Sequence, residues 1–396
     1  MAKARPKKAE ILVINNVAQV GLKRFPTEQY TLVKEAADPH AILVRSQDLH
    51  KYEFGPSLRA VGRAGAGVNN IPVAALSKRG VPVFNAPGAN ANAVKELVLA
   101  GILIAARNLA PALDFVRQLK DEDLESRVED GKKQFAGSEL PGHTLGVIGL
   151  GKIGSLVADA AIRLGMNVQG YDPHITVEAA WSLPSQVKRA ASIDELIRSS
   201  HFVSLHVPLG DKTRHLINGR NVELFRHGAV LLNFSREGIV AEDAVVKGLK
   251  NHSLKWYVTD FPTGELLGHP GVIALPHLGA STREAEDNCA IMVVDQVRDY
   301  LEHGNLQNAV NFPDAQMPRE APYRLAIANA NVPDMLGRIS HALGKRKINI
   351  HNMLNKSRGE MAYTLVDADS PVPSEVIKDL AGLNGVLSVR YLPVDG

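Results

Sequence analysis

The stretch His143-Thr-Leu-Gly-Val-Ile-Gly149-Leu-Gly151-Lys152-Ile153-Gly154 decides the fold of this chain. Its first half is apolar and has the length of a buried parallel strand, and its second half is a G-x-G-x-x-G turn that opens a helical pattern. Gly149 permits a tight turn, Gly151 lets the backbone approach a pyrophosphate, and Gly154 lets helix and strand pack. The N-terminus of the helix favours an anion. The stretch therefore predicts a dinucleotide-binding domain.

An acidic residue follows the next strand. The apolar run from Asn167 to Tyr171 ends at Asp172, where a carboxylate can accept hydrogen bonds from the ribose hydroxyls of a dinucleotide. The same charge would repel a 2′-phosphate, and Pro173 and His174 supply no arginine to neutralise one. The pattern favours NAD over NADP.

Working outward, strand-length apolar runs alternate with helical patterns along most of the chain, which predicts an α/β protein with parallel sheets. We predict a Rossmann-type doubly wound domain over residues 96–284 and a flavodoxin-like substrate domain over residues 1–95 plus 285–310. One long helix from Asn92 to about Val116 is expected to cross between them. Hinges near residues 95 and 285 would let the two lobes close on a substrate.

The C-terminal part predicts a separate small domain. A polar, proline-bearing segment at residues 304–313 reads as a linker, and residues 318–396 carry the pattern of a βαββαβ unit.

Composition narrows the class of protein. The chain has 396 residues, 45% of them hydrophobic, and a net charge of +3, so two to three domains with ample cores are expected. The excess charge lies largely in Lys3, Arg5, Lys7 and Lys8, which we interpret as a solvated tail and not a nucleic-acid arm. The single cysteine, Cys289, excludes intrachain disulfides and cysteine metal clusters. With no apolar run of membrane-span length and no secretory signal pattern, a cytoplasmic location is expected.

Three segments at predicted strand ends carry the chemistry. Arg236 follows one strand and can hold a carboxylate or carbonyl oxygen with a fixed guanidinium. Hydride removal from a secondary alcohol leaves a proton for a base, and a histidine side chain is suited to that role, which makes His277 the candidate. We hypothesise that Glu265 raises the pKa of this imidazole and orients it. The same strand ends supply the predicted cofactor contacts, which are Gly149, Gly151, Lys152, Ile153, Gly154, Asp172, Val207, Phe234, Ser235 and Asp260.

The segments Gly149 to Gly154, Ser235 to Gly238, Asp260 to Glu265 and Pro276 to Thr282 resemble, in order, the motifs of the D-isomer-specific 2-hydroxyacid dehydrogenases. The resemblance covers nearly the whole chain. It implies that Arg236, Glu265 and His277 are catalytic, that NAD is the cofactor and that the enzyme forms homodimers or homotetramers.

Within that family, three N-terminal segments resemble members that oxidise 3-phosphoglycerate, the first step of serine synthesis. They are Val44-Arg-Ser46, Arg63-Ala-Gly-Ala-Gly-Val68 and Asn85-Ala-Pro-Gly-Ala-Asn90. The resemblance implies that the Arg-Ser pair and Asn90 bind substrate. On chemical grounds Arg45 and Ser46 would hold a phosphate, and the amides around Gly65, Ala66 and Gly67 would receive a carboxylate.

The βαββαβ unit resembles the ACT module, a small-molecule regulatory domain. Asn329, Asn331 and Asn349 lie at positions matching that module's amino-acid site, which implies serine as effector. Asn329 replaces a histidine and Asp334 a glycine of serine-inhibited relatives. A dimerising sheet without ligand is the alternative.

Two other functions stay open at this point. One is a related dehydrogenase acting on glyoxylate, hydroxypyruvate or 2-oxoglutarate, against which Arg45 and Ser46 argue because those substrates carry no phosphate. The other is an NAD-sensing corepressor-like binding protein, against which the set Arg236, Glu265 and His277 argues.

Overall fold

The computed structural model describes residues 8–120 and 123–394. Of the basic N-terminal cluster, Lys3, Arg5 and Lys7 lie outside the described residues. The strands are β1 (Ala9–Ile14), β2 (Tyr30–Val33), β3 (Ala41–Val44), β4 (Ala60–Arg63), β5 (Val83–Phe84), β6 (Thr144–Ile148), β7 (Asn167–Tyr171), β8 (Lys188–Arg189), β9 (Phe202–Leu205), β10 (Ala229–Asn233), β11 (Leu254–Thr259), β12 (Val272–Ala274), β13 (Tyr323–Ala330), β14 (Ile350–Arg358), β15 (Met361–Ala368) and β16 (Val386–Pro393). The helices are α1 (Gln19–Leu22), α2 (Val73–Lys78), α3 (Ala91–Ala106), α4 (Leu109–Arg117), α5 (Leu124–Gly131), α6 (Lys152–Arg163), α7 (Val177–Trp181), α8 (Ile193–Ser199), α9 (Glu242–Lys250), α10 (Arg283–His303), α11 (Met335–Gly344) and α12 (Ser374–Ala381).

The chain forms two compact units. The first unit combines Met1–Asn90 with Glu286–Gly396, and the second unit is Ala91–Ala285. The divisions lie close to residues 95 and 285, where the sequence predicts hinges.

The second unit contains a parallel sheet with strand order β12-β11-β10-β9-β6-β7-β8. Every residue of β9 and β10 is buried, as is typical of strands covered by helices on both faces. The order reverses direction between β6 and β9, and ligands of such sheets bind outside the carboxyl ends of the strands at that point. The predicted Rossmann-type domain is confirmed.

The crossover from the first unit is two helices and not one, so the prediction of a single long helix is wrong. Helices α3 and α4 meet at a bend of 69°. Asn108 lies at the break in the left-handed conformation, with φ 50°. Its amide nitrogen donates to the carbonyl of Ala136 at 3.0 Å, and its amide oxygen accepts from the indole of Trp256 at 3.3 Å. These long-range hydrogen bonds hold the break between the two helices. The local sequence pattern gives no sign of them, so it predicts one continuous helix.

The first unit contains a parallel sheet with strand order β2-β1-β3-β4-β5, which is the flavodoxin-like order that the sequence predicts. Strand β3 is buried at every position. The edge strand β2 is missing from the sequence-based interpretation, because only Tyr30 of its four residues is buried and no continuous apolar run marks it.

Residues 323–393 form the predicted βαββαβ unit. Its antiparallel sheet has the order β14-β15-β13-β16. Helices α11 and α12 contribute Ile339, Leu343, Val376 and Leu380 to a core that they share with the sheet.

This C-terminal sheet is not a detached domain, and here the structure differs from the sequence-based division. Arg390 on β16 donates to the carbonyls of Tyr300 and Leu301, both at 2.8 Å, and its guanidinium lies 4.4 Å from the Tyr300 ring centroid. The hydroxyl of Tyr363 on β15 donates to the carbonyl of Gly304 at 2.6 Å. The sheet thus packs against the C-terminal end of α10. Residues of the sheet also belong to the hydrophobic core of the first unit.

A buried ion pair secures the same contact. The side chains of Arg324 and Asp367 are both fully buried, with Nε and Oδ1 2.5 Å apart and Nη2 and Oδ2 2.8 Å apart. The remaining guanidinium hydrogens donate to the carbonyls of His303, Met317 and Pro318. Because every donor group has a partner, the burial of the charge is compensated.

In the part of the chain that the structure describes, no single helix is both long and apolar enough to cross a membrane. The bent pair α3 and α4 passes that test only when the two helices are joined. Among the same residues, no cluster of His, Cys, Asp and Glu has the arrangement of a metal site.

Candidate active site

The glycine turn lies at the carboxyl end of β6 in the second unit. Gly149 has φ 90°, and a Cβ there would lie 2.5 Å from the carbonyl oxygen of His206. A Cβ on Gly154 would lie 1.9 Å from the carbonyl oxygen of Gly149. Around Gly151, in contrast, a Cβ would meet no atom within 4 Å. The first and last glycines therefore serve packing, and the middle one leaves open space beside the backbone.

Helix α6 begins directly at this open space. Its first residues, Lys152 and Ile153, belong to the turn itself, so the N-terminus of the helix faces the position that a pyrophosphate would take. Ile153 is partly buried against the core of the second unit. The turn has the features that an NAD pyrophosphate requires.

Asp172 ties the turn to the end of β7. Its Oδ2 accepts from the amide of Leu150 at 2.9 Å, and its Oδ1 accepts from the amide of His174 at 2.9 Å. The carboxylate is therefore held next to the glycine turn, and its unused lone pairs can accept from ribose hydroxyls.

The ends of β9 and β10 supply the neighbouring wall. A side-chain carbon of Val207 lies 2.9 Å from the Cβ position of Gly149. Phe234 is buried, and Ser235 donates its hydroxyl hydrogen to the carbonyl of Leu205 at 2.5 Å. The structure thus brings Val207 next to the turn and ties Ser235 to the end of β9.

Sequence reasoning missed His206 in the same wall. Burial lowers its pKa to about 4, so the ring is neutral at physiological pH. Its Nε2 lies 2.8 Å from the hydroxyl of Ser204, and its Nδ1 is buried without a hydrogen-bond partner in the described structure. A histidine within an apolar strand end gives no sequence signal that separates it from a core residue.

Arg236 is exposed just beyond β10, where its Nη1 donates to the carbonyl of Ser235 at 2.6 Å. Asn233 braces this turn: its amide nitrogen donates to the carbonyl of Arg236 at 3.0 Å, and its amide oxygen accepts from the amide of Ser235 at 3.2 Å. The guanidinium is therefore displayed on a fixed backbone.

The loop that carries His277 is clamped by a buried carboxylate. Asp260 is 1% exposed; its Oδ1 accepts from the amide of Leu278 at 2.7 Å and its Oδ2 from the amide of Gly279 at 2.8 Å. The amide of His277 donates to the carbonyl of Asp260 at 3.1 Å. His277 itself has φ 57°, a left-handed conformation that costs a non-glycine residue energy. The sequence assigns Asp260 to the cofactor only, and the structure adds this positioning of the imidazole loop.

Glu265 and His277 both belong to the second unit and both are exposed. The His277 ring lies 4.8 Å, centroid to centroid, from the Phe261 ring. Glu265 lines a cavity of about 420 Å³ together with Phe261 and Thr263. No hydrogen bond or ion pair within the described residues joins Glu265 to His277, so their pairing stays a prediction.

In the first unit, the predicted phosphate residues follow β3. Arg45 is partly exposed and Ser46 is exposed. The amide of Gly65 donates to the carbonyl of Arg63 at 2.8 Å and is thereby occupied. The amides of Ala66 and Gly67 have no partner within the described residues, so these two can receive a carboxylate. Asn90 is the last residue of the N-terminal segment of this unit.

The three asparagines assigned to the regulatory site differ in accessibility. Asn329 is 1% exposed and is bonded internally, donating to the carbonyl of Ala330 and accepting from Thr364. Asn331 donates to the carbonyl of Gly359 at 3.0 Å, and Asn349 donates to the carboxylate of Asp369. Asn331 and Asn349 therefore remain near the surface, whereas Asn329 serves the interior of the sheet.

Residues 100–279 match the sequence profile of the "D-isomer specific 2-hydroxyacid dehydrogenase, NAD binding domain". Together with the relatives below, this shows that the chain belongs to the D-isomer specific 2-hydroxyacid dehydrogenase family. The NAD-binding domain that the glycine turn and Asp172 predict is confirmed.

Within the family, the chain is similar to D-3-phosphoglycerate dehydrogenases. It is 32% identical to that of Haemophilus influenzae over 379 residues, which cover 91% of this chain and 88% of the relative. It is 35% identical to that of Methanocaldococcus jannaschii over 345 residues, which cover 83% of this chain. The match spans 62% of the length of the M. jannaschii protein.

The chain is also similar to solved structures of dehydrogenases. The NAD⁺-bound 3-phosphoglycerate dehydrogenase of Entamoeba histolytica is 25% identical, with a TM-score of 0.60 over 77% of this chain and 99% of the other. The D-mandelate dehydrogenase of Rhodotorula graminis, 23% identical with a TM-score of 0.65 over 78% of this chain and 98% of the other, shares the fold.

Proposed function

We propose that this protein oxidises 3-phosphoglycerate to 3-phosphohydroxypyruvate with NAD, as the first step of serine synthesis. Relatives that carry this activity in their names match most of the chain. The observation that carries the choice of substrate is the guanidinium of Arg45, displayed at the carboxyl end of β3 beside Ser46, since the phosphate of 3-phosphoglycerate is a second anionic group, which glyoxylate and hydroxypyruvate lack.

The chain's own residues have separate roles in this proposal. Arg45 and Ser46 bind the phosphate, and the amides of Ala66 and Gly67 receive the carboxylate. Arg236 stabilises the oxygen on C2 as it becomes a carbonyl. His277 accepts the proton of the C2 hydroxyl.

Bound NAD would accept the C2 hydrogen as hydride, so the proton and the hydride leave the same alcohol together. Glu265 would stabilise the resulting imidazolium. The hinge movement at the unit boundaries stays a prediction, and so does the cytoplasmic location.

Formation of NADH from 3-phosphoglycerate, followed by absorbance with the purified chain, tests this function. We expect turnover with 3-phosphoglycerate and a kcat/KM for D-lactate that is lower by roughly 100-fold or more, because D-lactate lacks the phosphate. Faster reduction of glyoxylate, hydroxypyruvate or 2-oxoglutarate would assign the chain to a different dehydrogenase of the family. NAD binding without turnover of any of these acids would favour the binding-protein alternative.

We further propose a homo-oligomer. Helix α4 contains no buried residue although it is largely apolar, and five apolar side chains of α3, α4 and α5 are exposed by 41% to 57%: Leu103, Leu109, Leu113, Val116 and Leu124. Apolar surface of this kind marks protein interfaces, and a second copy of the chain fits it by symmetry. Leu113→Asp is expected to shift the species measured by light scattering to the monomer. An unchanged mass would reject this surface.

The C-terminal βαββαβ unit is proposed as an ACT-like regulatory or dimerisation domain with serine as its effector. Accessible side chains of Asn331 and Asn349 support it. Titration of the full chain with serine by calorimetry, beside an Asn349→Ala variant, tests the site. Absence of heat at millimolar serine would leave dimerisation as its role.

A further inference from the structure

Arg45, the residue proposed to bind the substrate phosphate, forms an ion pair in this structure. Arg45 Nη1 lies 2.8 Å from Oε1 of Glu286, which belongs to the first turn of α10. The two side chains are 30% and 41% exposed, so an anion from solvent can reach the guanidinium. Nothing in the family resemblance assigns Glu286 a role.

The backbone of Arg45 is fixed, whereas its guanidinium is free to exchange partners. Its carbonyl accepts from Nε of Arg63 at 3.0 Å and from the amide nitrogen of Asn70 at 3.4 Å. Asn70 also donates to the carbonyl of Gln47 at 2.8 Å. With the turn anchored on both sides, a change of partner by Arg45 requires only side-chain rotation.

A second guanidinium strengthens the positive field here. Nη1 of Arg63 lies 2.1 Å from the position that a Cβ on Gly65 would take. The same charges act on the buried thiol of Cys289. Burial raises the pKa of this thiol; the positive charges of Arg63 and Arg45 lower it, and the negative charge of Glu286 raises it further. Two cations and one carboxylate therefore share this part of the first unit.

We propose that Glu286 is a specificity-determining residue that holds Arg45 until a phosphate dianion displaces its carboxylate. The inference rests on the proposed function. A dianion attracts the guanidinium more strongly than the single charge of Glu286 does, and its oxygens can accept two parallel hydrogen bonds from it. The carboxylate of Glu286, left behind, repels the phosphate. Glu286 therefore weakens the binding of phosphorylated substrates.

The test compares the full chain with Glu286→Gln and with Glu284→Gln as matched control. Glutamine keeps an oxygen that can accept from Arg45 but removes the charge. Glu284 lies two positions earlier, about 200° around the helix, so its substitution makes the same change of charge near the helix N-terminus. Initial rates are measured at pH 8 and saturating NAD with 3-phosphoglycerate and with D-glycerate.

For Glu286→Gln we expect kcat/KM for 3-phosphoglycerate to rise roughly three- to tenfold at low salt, as for loss of one partly screened charge. The increase should shrink at 0.5 M KCl. With D-glycerate, which has no phosphate, kcat/KM should stay within 1.5-fold. Glu284→Gln should match the parent for both substrates.

Three results would overturn the inference. An unchanged kcat/KM for 3-phosphoglycerate would mean that the carboxylate does not oppose the phosphate. A fall would mean that Glu286 only positions Arg45. An equal rise with D-glycerate, or the same rise in Glu284→Gln, would mean a general electrostatic effect.

Failure of the proposed function is recognised separately. If the parent chain does not turn over 3-phosphoglycerate, that function is lost whatever the variants do. Binding of inorganic phosphate, measured by calorimetry on the same proteins, then tests Glu286 by itself. Tighter binding by Glu286→Gln than by the parent supports the inference, and equal or weaker binding rejects it.

Discussion

The turn after β6 in the second unit and the turn after β3 in the first unit both follow a buried parallel strand, yet they offer an anion different chemistry. The first is built from backbone: Gly149, Gly151 and Gly154 shape it, and the N-terminus of α6 supplies amides. The second is built from side chains, with the guanidinium of Arg45 held by Glu286. A backbone site is fixed by folding, whereas a side-chain site can exchange partners and can be lost by one truncation.

The loop of His277 has a fixed backbone, like the glycine turn, and a single functional side chain, like the Arg45 turn. Its substitution is expected to lower activity most. Its backbone is clamped by Asp260, but its chemistry depends on one imidazole. His277→Ala should lower kcat by ~10²–10⁴-fold if the ring is the general base. His341→Ala, on α11, is the control and should be neutral. A loss below tenfold at His277 would remove it from that role.

Truncation of the side-chain anion site should come next in size. Arg45→Ala removes a charge-assisted contact to phosphate, so KM for 3-phosphoglycerate should rise by roughly 10- to 100-fold. KM for NAD should stay within twofold, because the glycine turn does not depend on this side chain. Arg346→Ala, an exposed arginine on the C-terminal unit, provides the control. Equal changes in both KM values would contradict the separation of the two sites.

The backbone site can be broken in two distinguishable ways. Gly151→Ala places a methyl group in open space, so thermal stability should be unchanged while the Kd for NAD rises about tenfold, or ~1.4 kcal/mol. Gly154→Ala places one against the carbonyl of Gly149 and should cost ~1–3 kcal/mol of unfolding free energy. Calorimetry and thermal melts of both variants check this; identical behaviour would contradict the assignment of separate roles.

The last prediction concerns the pH dependence of stability. His206 is neutral in the folded state because burial lowers its pKa from 6.5 to about 4. Between those values the unfolded chain binds more protons, so this contribution to stability is complete above pH 6.5 and is lost as pH falls toward 4. His206→Asn should reduce the loss between pH 7 and 4.5 by ~1–3 kcal/mol, and the exposed His252→Asn should not. Denaturant unfolding at both pH values measures the loss of unfolding free energy. The same loss in the parent and in both variants would show that His206 is not its source.

The α/β class, the NAD-binding domain and most of the buried strands follow from the amino-acid sequence alone, because each depends on a local apolar run followed by glycine or an acid. Gly149 to Gly154 and Asp172 are signals of this kind. Their backbone conformations follow from the residue types wherever the strand is placed.

The hydrogen bonds between polar groups that lie far apart along the chain follow from tertiary packing. The break at Asn108 depends on Ala136 and Trp256, and the His277 loop depends on Asp260. The joining of the C-terminal sheet to the first unit depends on Arg390 and Arg324 reaching carbonyls at the end of α10 and in the segment that follows it. Such bonds link residues with no common pattern in the sequence, so they exist only once the elements have packed.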